Sequence, residues 1–214
     1  MLDHVTWFRQ AALRWRDEER TIYIDPWGTG DDPPPADLIF ITHAHFDHFR
    51  PDEIEKLRRA GTKLVAPHDV ANELTGDVTP VRPGERHEVA GVSFTTVPAY
   101  NTREEALGFH PRSNGWVGYL VELGGSSYYH AGDTDHAPEL DDVRADVAFL
   151  PIGGHFTMDW RAAAGLARAM EPGVAVPIHY GFVICSPTDG LRFRKAAAPV
   201  PVELIAPLDD FEQE

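Results

Sequence analysis

The feature that most constrains this chain is a histidine-dense run placed where a buried strand should end. Leu38–Thr42 reads LIFIT, a continuous apolar run of the kind that forms a strand covered on both faces. His43-Ala44-His45-Phe46-Asp47-His48 follows without a break. Three imidazoles and a carboxylate so close together are good ligands for borderline divalent cations such as zinc. A turn at a strand end can aim His43 and His45 at one ion while Asp47 and His48 face a neighbouring one. The competing reading is a solvated polar loop that happens to be rich in histidine.

Two further segments repeat this architecture. Ser127-Tyr128-Tyr129-His130-Ala131-Gly132-Asp133-Thr134 is a strand running into a glycine-containing turn that presents Asp133. Val176-Pro177-Ile178-His179-Tyr180-Gly181 is a strand ending in His179. Separately, Asp133 could cap a helix near Pro138, and His179 could be an ordinary hydrogen-bonded histidine. Together they put ligand-type residues at three strand exits, where open α/β sheets bind their ligands.

Elsewhere, strands are expected at Thr21–Asp25, Lys63–Ala66, Val92–Val97, Gly118–Leu123, Ser126–His130, Asp146–Pro151 and Val174–Ile178, with a last one at Glu203–Ala206. Gly124-Gly125 should turn a hairpin. Helices are expected over Pro51–Ala60, ended by Gly61, over His68–Leu74, and from about Asp159 to Met170. This alternation favours sheets sandwiched between helical layers, an α/β protein. With 214 residues the chain fits one domain, residues 1–214, better than two small ones.

Composition narrows the function classes. The formal net charge is −15, which argues against a nucleic-acid backbone as the main partner; the basic cluster near the histidine run is Arg50, Arg58 and Arg59. No apolar run approaches the roughly 20 residues of a membrane helix, and the first residues, MLDHVTWFRQ, lack a signal peptide's basic start and apolar stretch. The single cysteine, Cys185, has no partner for an internal disulfide and reads as a buried inert thiol. A cytoplasmic location is the expectation, with a small-molecule substrate as partner and self-association left open.

H-x-H-x-D-H after an apolar strand, the A-G-D-T turn at Ala131–Thr134 and the strand-terminal His179 resemble the metallo-β-lactamase superfamily. The likeness is greater to its small metal-dependent hydrolases related to ascorbate-6-phosphate lactonases, through Ile24-Asp25-Pro26, Tyr129-His130-Ala131-Gly132-Asp133-Thr134 and Leu150–Met158. The similarity runs from about Thr21 to Tyr180; it is specific for fold and metal site and weak for substrate. It implies a four-layer αβ/βα sandwich of the metallo-β-lactamase type and a two-metal site, zinc first, with manganese or iron as alternatives. On that pattern His43 and His45 hold the first ion, Asp47, His48 and His179 the second, and Asp133 bridges them. Asp25 supports the ligand loop. His155, after a Gly-Gly pair, is a candidate for proton transfer or substrate contact, as is Tyr180 for the proton.

The chain departs from the pattern twice. Where many relatives carry Gly-His in the first hairpin, it has Arg9-Gln10. Where they supply a third histidine to the first ion from P-A-x-H, it has Pro98-Ala99-Tyr100-Asn101. Asn101 is a poor zinc ligand, and His110, in Phe109-His110-Pro111, is the expected replacement. The implied reaction is metal-dependent hydrolysis of a small ester, lactone or phosphoester, by a metal-activated hydroxide that Asp47 orients. The alternatives are a phosphodiesterase or nuclease of the same fold, or a metal-binding module without catalysis.

Overall fold

Leu38 and Phe40 point to one side of their strand and Ile39 and Ile41 to the other; all four are fully buried. That double burial fixes a layered architecture, because a sheet face and a helical face must both close over this segment. The computed structural model, which describes residues 1–211, has two six-stranded mixed sheets. The first comprises β1 (Val5–Trp7), β2 (Leu13–Arg16), β3 (Thr21–Ile24), β4 (Leu38–Phe40), β5 (Lys63–Pro67) and β6 (Val78–Val81). The second comprises β7 (Arg86–Val89), β8 (Val92–Pro98), β9 (Val117–Leu123), β10 (Ser126–His130), β11 (Val147–Pro151) and β12 (Val174–Ile178). In each sheet spatial order follows chain order. Strands β1–β3 and β7–β10 pair antiparallel, β3–β6 and β10–β12 parallel.

Aromatic rings join the two sheets. Phe40 of β4 packs on Phe94 and Tyr119 at centroid distances of 5.0 and 4.8 Å, and the Tyr119 hydroxyl donates across the core to the Ile41 carbonyl at 2.7 Å. The opposite face of the first sheet lies in a second apolar cluster with Ile54 and Leu57 of helix α1 (Pro51–Leu57) and Val70 of α2 (His68–Ala71). Helix α3 (Trp160–Met170) buries Ala163, Ala164, Leu166, Ala167 and Met170 beside the second sheet, with α4 (Asp189–Ala197) against it. Asp159 starts α3 by accepting from the backbone N–H of Arg161 and Ala162. The result is the expected α/β sandwich of two sheets flanked by helices.

Several elements differ from the expectation. Segment 203–206 is not a strand: the chain instead touches β12 through Val202 beside Ala175 and β1 through Pro207 beside Trp7. Pro199, Pro201 and Pro207 have no N–H to donate to a continuous ladder. Four strands carry too weak a pattern to be read. β1 and β2 are short, β6 contains Pro80, and edge strand β7 alternates exposed and half-buried residues. Helix α4 was also missed; among its nonpolar side chains it buries only Phe193 and Ala197. No helix among the described residues is long and apolar enough to cross a membrane.

Candidate metal centre

Strand exits assemble the site. The loop after β4 carries His43, His45, Asp47 and His48, Asp133 lies three residues beyond β10, and His179 directly follows β12. His110 comes from the loop between β8 and β9. Ligand atoms of His43, His45 and His110 lie within 4.8 Å of one another, as do those of His43, His48 and Asp133, and those of Asp47, His48 and His179. Asp133 sits centrally, its carboxylate oxygens 3.2 Å from His179 Nε2, 3.3 Å from His48 Nε2 and 3.4 Å from His110 Nε2. The expected seven ligand residues are thus brought together. His155 is placed apart, exposed, its ring beside Phe109 and Phe156 at 5.3 and 4.6 Å. Tyr180 is buried against Trp7 at 5.3 Å.

Each imidazole has a group that turns it. Asp25 accepts from the Thr42 N–H at 2.7 Å and its hydroxyl at 2.6 Å, and from His48 Nδ1 at 2.7 Å. A carboxylate only accepts, so His48 carries its proton on Nδ1 and leaves Nε2 toward the cluster. Asn101 does the same for His110. Its amide Nδ2 donates to the Phe156 carbonyl at 2.8 Å, so Oδ1 is the acceptor for His110 Nδ1 at 2.8 Å and for the His110 N–H at 3.0 Å. Asn101 therefore orients an imidazole in this geometry.

The cluster leaves polar atoms unpaired. His48 Nε2, His110 Nε2 and Asp133 Oδ1 are buried without a hydrogen-bond partner. The two imidazole nitrogens lie at ion-pair distances from the Asp133 carboxylate, and all three atoms converge on one place. The donor set and these atoms fit divalent cations.

Charge is divided unevenly across the cluster. Burial, reinforced by the His48 and His110 imidazoles, holds His43 well below the ordinary histidine range, and burial also lowers His45. Burial opposes the charge on His179 too, but Asp133 and Asp47 outweigh it and raise His179 to about 9. Asp133, Asp47 and Asp25 likewise overcome burial and raise His48 well above its ordinary value. Against the same burial, His48 and His179 pull Asp47 down to about 2, and His179 and His48 hold Asp133 well below the usual carboxylate range. The His43–His45 side is neutral near pH 7 and the Asp47–His48–His179 side is a compensated ion cluster.

Two residues that sequence reasoning left aside belong to the site. Gln10, fully buried in the turn between β1 and β2, places Nε2 3.4 Å from Asp47 Oδ2 and 3.4 Å from the His179 ring nitrogens, while its Oε1 has no partner. The signal was the Arg9-Gln10 departure itself. Gly153 passes so close to His179 that an added Cβ would meet Nδ1 at 2.8 Å and the backbone oxygen at 3.0 Å. Gly153→Ala should therefore displace the His179 ring, at about 1–3 kcal/mol of overpacking. Circular dichroism should show a folded protein while elemental analysis shows reduced metal uptake. Cys185 donates its thiol to the Gly153 carbonyl at 3.1 Å, and burial, with Asp189 and Asp159 nearby, pushes the thiol up.

Comparison with known proteins gives the family. The chain is 38% identical to the UPF0173 metal-dependent hydrolase of Thermococcus onnurineus, over 82% of this chain and 84% of the relative. It is 31% identical to that of Methanopyrus kandleri, over 98% and 99%. Among solved structures, a Parabacteroides distasonis protein superposes with a TM-score of 0.85 at 30% identity, over 94% of this chain and 91% of that one. Igni18, a metallo hydrolase of Ignicoccus hospitalis, gives 0.76 at 26%, over 95% and 94%. The family model for the β-lactamase superfamily domain matches residues 4–179. The chain belongs to the metallo-β-lactamase superfamily, within its family of UPF0173 metal-dependent hydrolases.

Proposed function

We propose that this protein hydrolyses a small molecule bearing an ester, lactone or phosphoester bond, using two divalent cations. His43, His45 and His110 would hold one ion and Asp47, His48 and His179 the other, with Asp133 between the two groups. The observation that carries this reading is the set of three ligand groups, each within 4.8 Å, joined through His43, His48 and Asp133. Imidazole-rich donors favour zinc, with manganese or iron(II) as alternatives. Bound cations would acidify a water and polarise the substrate oxygen.

The chain's own groups supply the rest. Asp25 and Asn101 fix the tautomers of His48 and His110, so each presents Nε2. Asp47 lines the cavity with part of its carboxylate open to it. We assign it to take a proton from the attacking water on a carboxylate oxygen and return it to the leaving group. Gln10 Nε2 steadies Asp47 Oδ2. His155, exposed behind Phe109 and Phe156, is kept as a contact for the departing half of the substrate.

The test is metal titration of chelated protein followed by turnover assays on p-nitrophenyl esters, simple lactones and phosphoesters. Two ions per chain and metal-dependent turnover are expected. The first ion should bind with less pH dependence than the second, because burial lowers His43 and His45. The second must displace protons from His48 and from His179, whose pKa is raised to about 9. Its apparent affinity should rise by up to roughly tenfold per pH unit for each proton displaced, toward pH 9. Calorimetry in buffers of different ionisation enthalpy counts those protons. Absence of bound metal together with absence of turnover refutes the proposal.

A further inference from the structure

Above the candidate ligands lies a cavity of about 200 Å³ whose floor and walls differ in chemistry. Gln10, His45, Asp47, Asp133 and His179 form the polar floor, and every other lining residue is apolar: Phe46, Phe109, Phe156, Val183 and Ile184. Phe46 and Val183 are 61% and 49% exposed, apolar surfaces that the described residues leave open to water at the mouth. Phe109 and Phe156 brace each other edge to face at 4.8 Å, so that wall is preformed.

Among the described residues no lysine, arginine, serine or threonine lines the cavity. Nearby cations are engaged elsewhere. Arg103 bonds Asp135 at 2.9 Å and the Thr157 carbonyl at 2.8 Å. Arg50 pairs with Asp52 at 2.9 Å. The Arg9 guanidinium lies over the Trp27 and Phe182 rings at 4.9 and 5.3 Å and 4.0 Å from Asp209. Phosphate recognition commonly uses arginine, lysine or an array of backbone N–H donors. Away from the floor a phosphorylated substrate would meet only hydrocarbon, and the floor sets two carboxylates beside Gln10, His45 and His179, so no cationic side chain reinforces whatever the cations themselves attract.

We propose that the substrate is an uncharged ester or lactone whose acyl part is apolar, an alkyl or aryl group seated on Phe46, Phe109, Phe156, Val183 and Ile184, and not a phosphoester or sugar phosphate. This rests on the hydrolase reading and narrows it. Cleavage breaks the acyl C–O bond; water supplies the new acyl oxygen, one of its protons goes to the alcohol and the other to solvent, and the acid is released as carboxylate. The apolar wall holds the acyl group while the polar floor faces the reacting carbonyl.

Two readouts test this on the zinc-loaded protein. The first is kcat/KM for p-nitrophenyl acetate, butyrate and hexanoate, with p-nitrophenyl phosphate and bis-p-nitrophenyl phosphate as charged comparators. We expect a rise of roughly fourfold per methylene until the cavity is filled, and phosphoesters at least tenfold poorer than hexanoate. The second is calorimetric binding of acetate, hexanoate, 3-phenylpropionate and glucose 6-phosphate, which needs no turnover. Phe156→Ala and Val183→Ser, both at half-buried or exposed positions, should each flatten the chain-length dependence in both readouts. A flat dependence in both readouts, or a preference for either the phosphoesters or glucose 6-phosphate, overturns the inference. If hexanoate binding shows the dependence while no ester turns over, the hydrolase reading fails and the apolar site stands. Turnover with flat dependence and flat binding has the opposite meaning.

Discussion

Asp133→Ala is expected to lower turnover by at least about a thousandfold, the scale of losing an interaction essential to the transition state, and to leave at most one ion tightly bound. Three imidazoles converge on this carboxylate, with Nε2 of His179, His48 and His110 at 3.2, 3.3 and 3.4 Å, and it is almost fully buried. Asp47, 3.4 Å from His179 Nε2 and 3.7 Å from His48 Nε2, serves only that side of the cluster. A second signature separates this from simple misfolding. Asp133 is the strongest charge holding His179 up to about 9 against burial, so its removal should let His179 lose its proton at lower pH. Fewer protons should then be released on any residual metal uptake. Elemental analysis, steady-state kinetics and proton counting check the three parts. A variant that kept two ions and full turnover would show that Asp133 does not reach both.

On the two-cation proposal, His110→Ala should leave about one ion per chain, with turnover reduced on the order of a hundredfold or more. Asn101→Ala should act more mildly and differently. Asn101 holds both His110 Nδ1 and the His110 N–H, so its loss frees the imidazole to rotate without deleting it. Groups that orient a metal-ligating histidine typically contribute about 10–100-fold in affinity. Excess zinc should therefore restore two ions and much of the activity in Asn101→Ala, and neither in His110→Ala. The reverse pattern, with His110→Ala binding two ions and Asn101→Ala losing one, would make Asn101 the ligand.

The role of Asp25 was legible for the same reason that Asn101's was not. Asp25 falls in the Ile24-Asp25-Pro26 segment that carries the family resemblance, and supporting carboxylates are a common companion of ligand histidines. Asn101 and His110 are nine positions apart in an irregular loop, and only their packing makes one the acceptor of the other. Gln10 lies still further away in sequence, on the hairpin that β12 brings alongside: the His179 N–H donates to the Gln10 carbonyl at 2.8 Å. The apolar wall was invisible altogether, because Phe46, Phe109, Phe156, Val183 and Ile184 carry no shared spacing. They come from three loops between strands and one after β12.

What the sequence by itself determined is local and chemical. A doubly apolar strand demanded cover on both faces, the histidine run demanded a cation or an explanation, and the glycine turns after β9 and β10 allowed the chain to reverse and present Asp133. Gly132 has a φ of +63°, and a Cβ there would meet the Val117 carbonyl at 2.9 Å. The tertiary structure alone decided which side chains meet, which imidazoles stay neutral and which carry charge. Those properties depend on distances of 3 to 4 Å between residues more than 100 positions apart, such as Gln10 and His179, and on how thoroughly water is excluded around them. Neither quantity is a property of neighbouring residues in a chain.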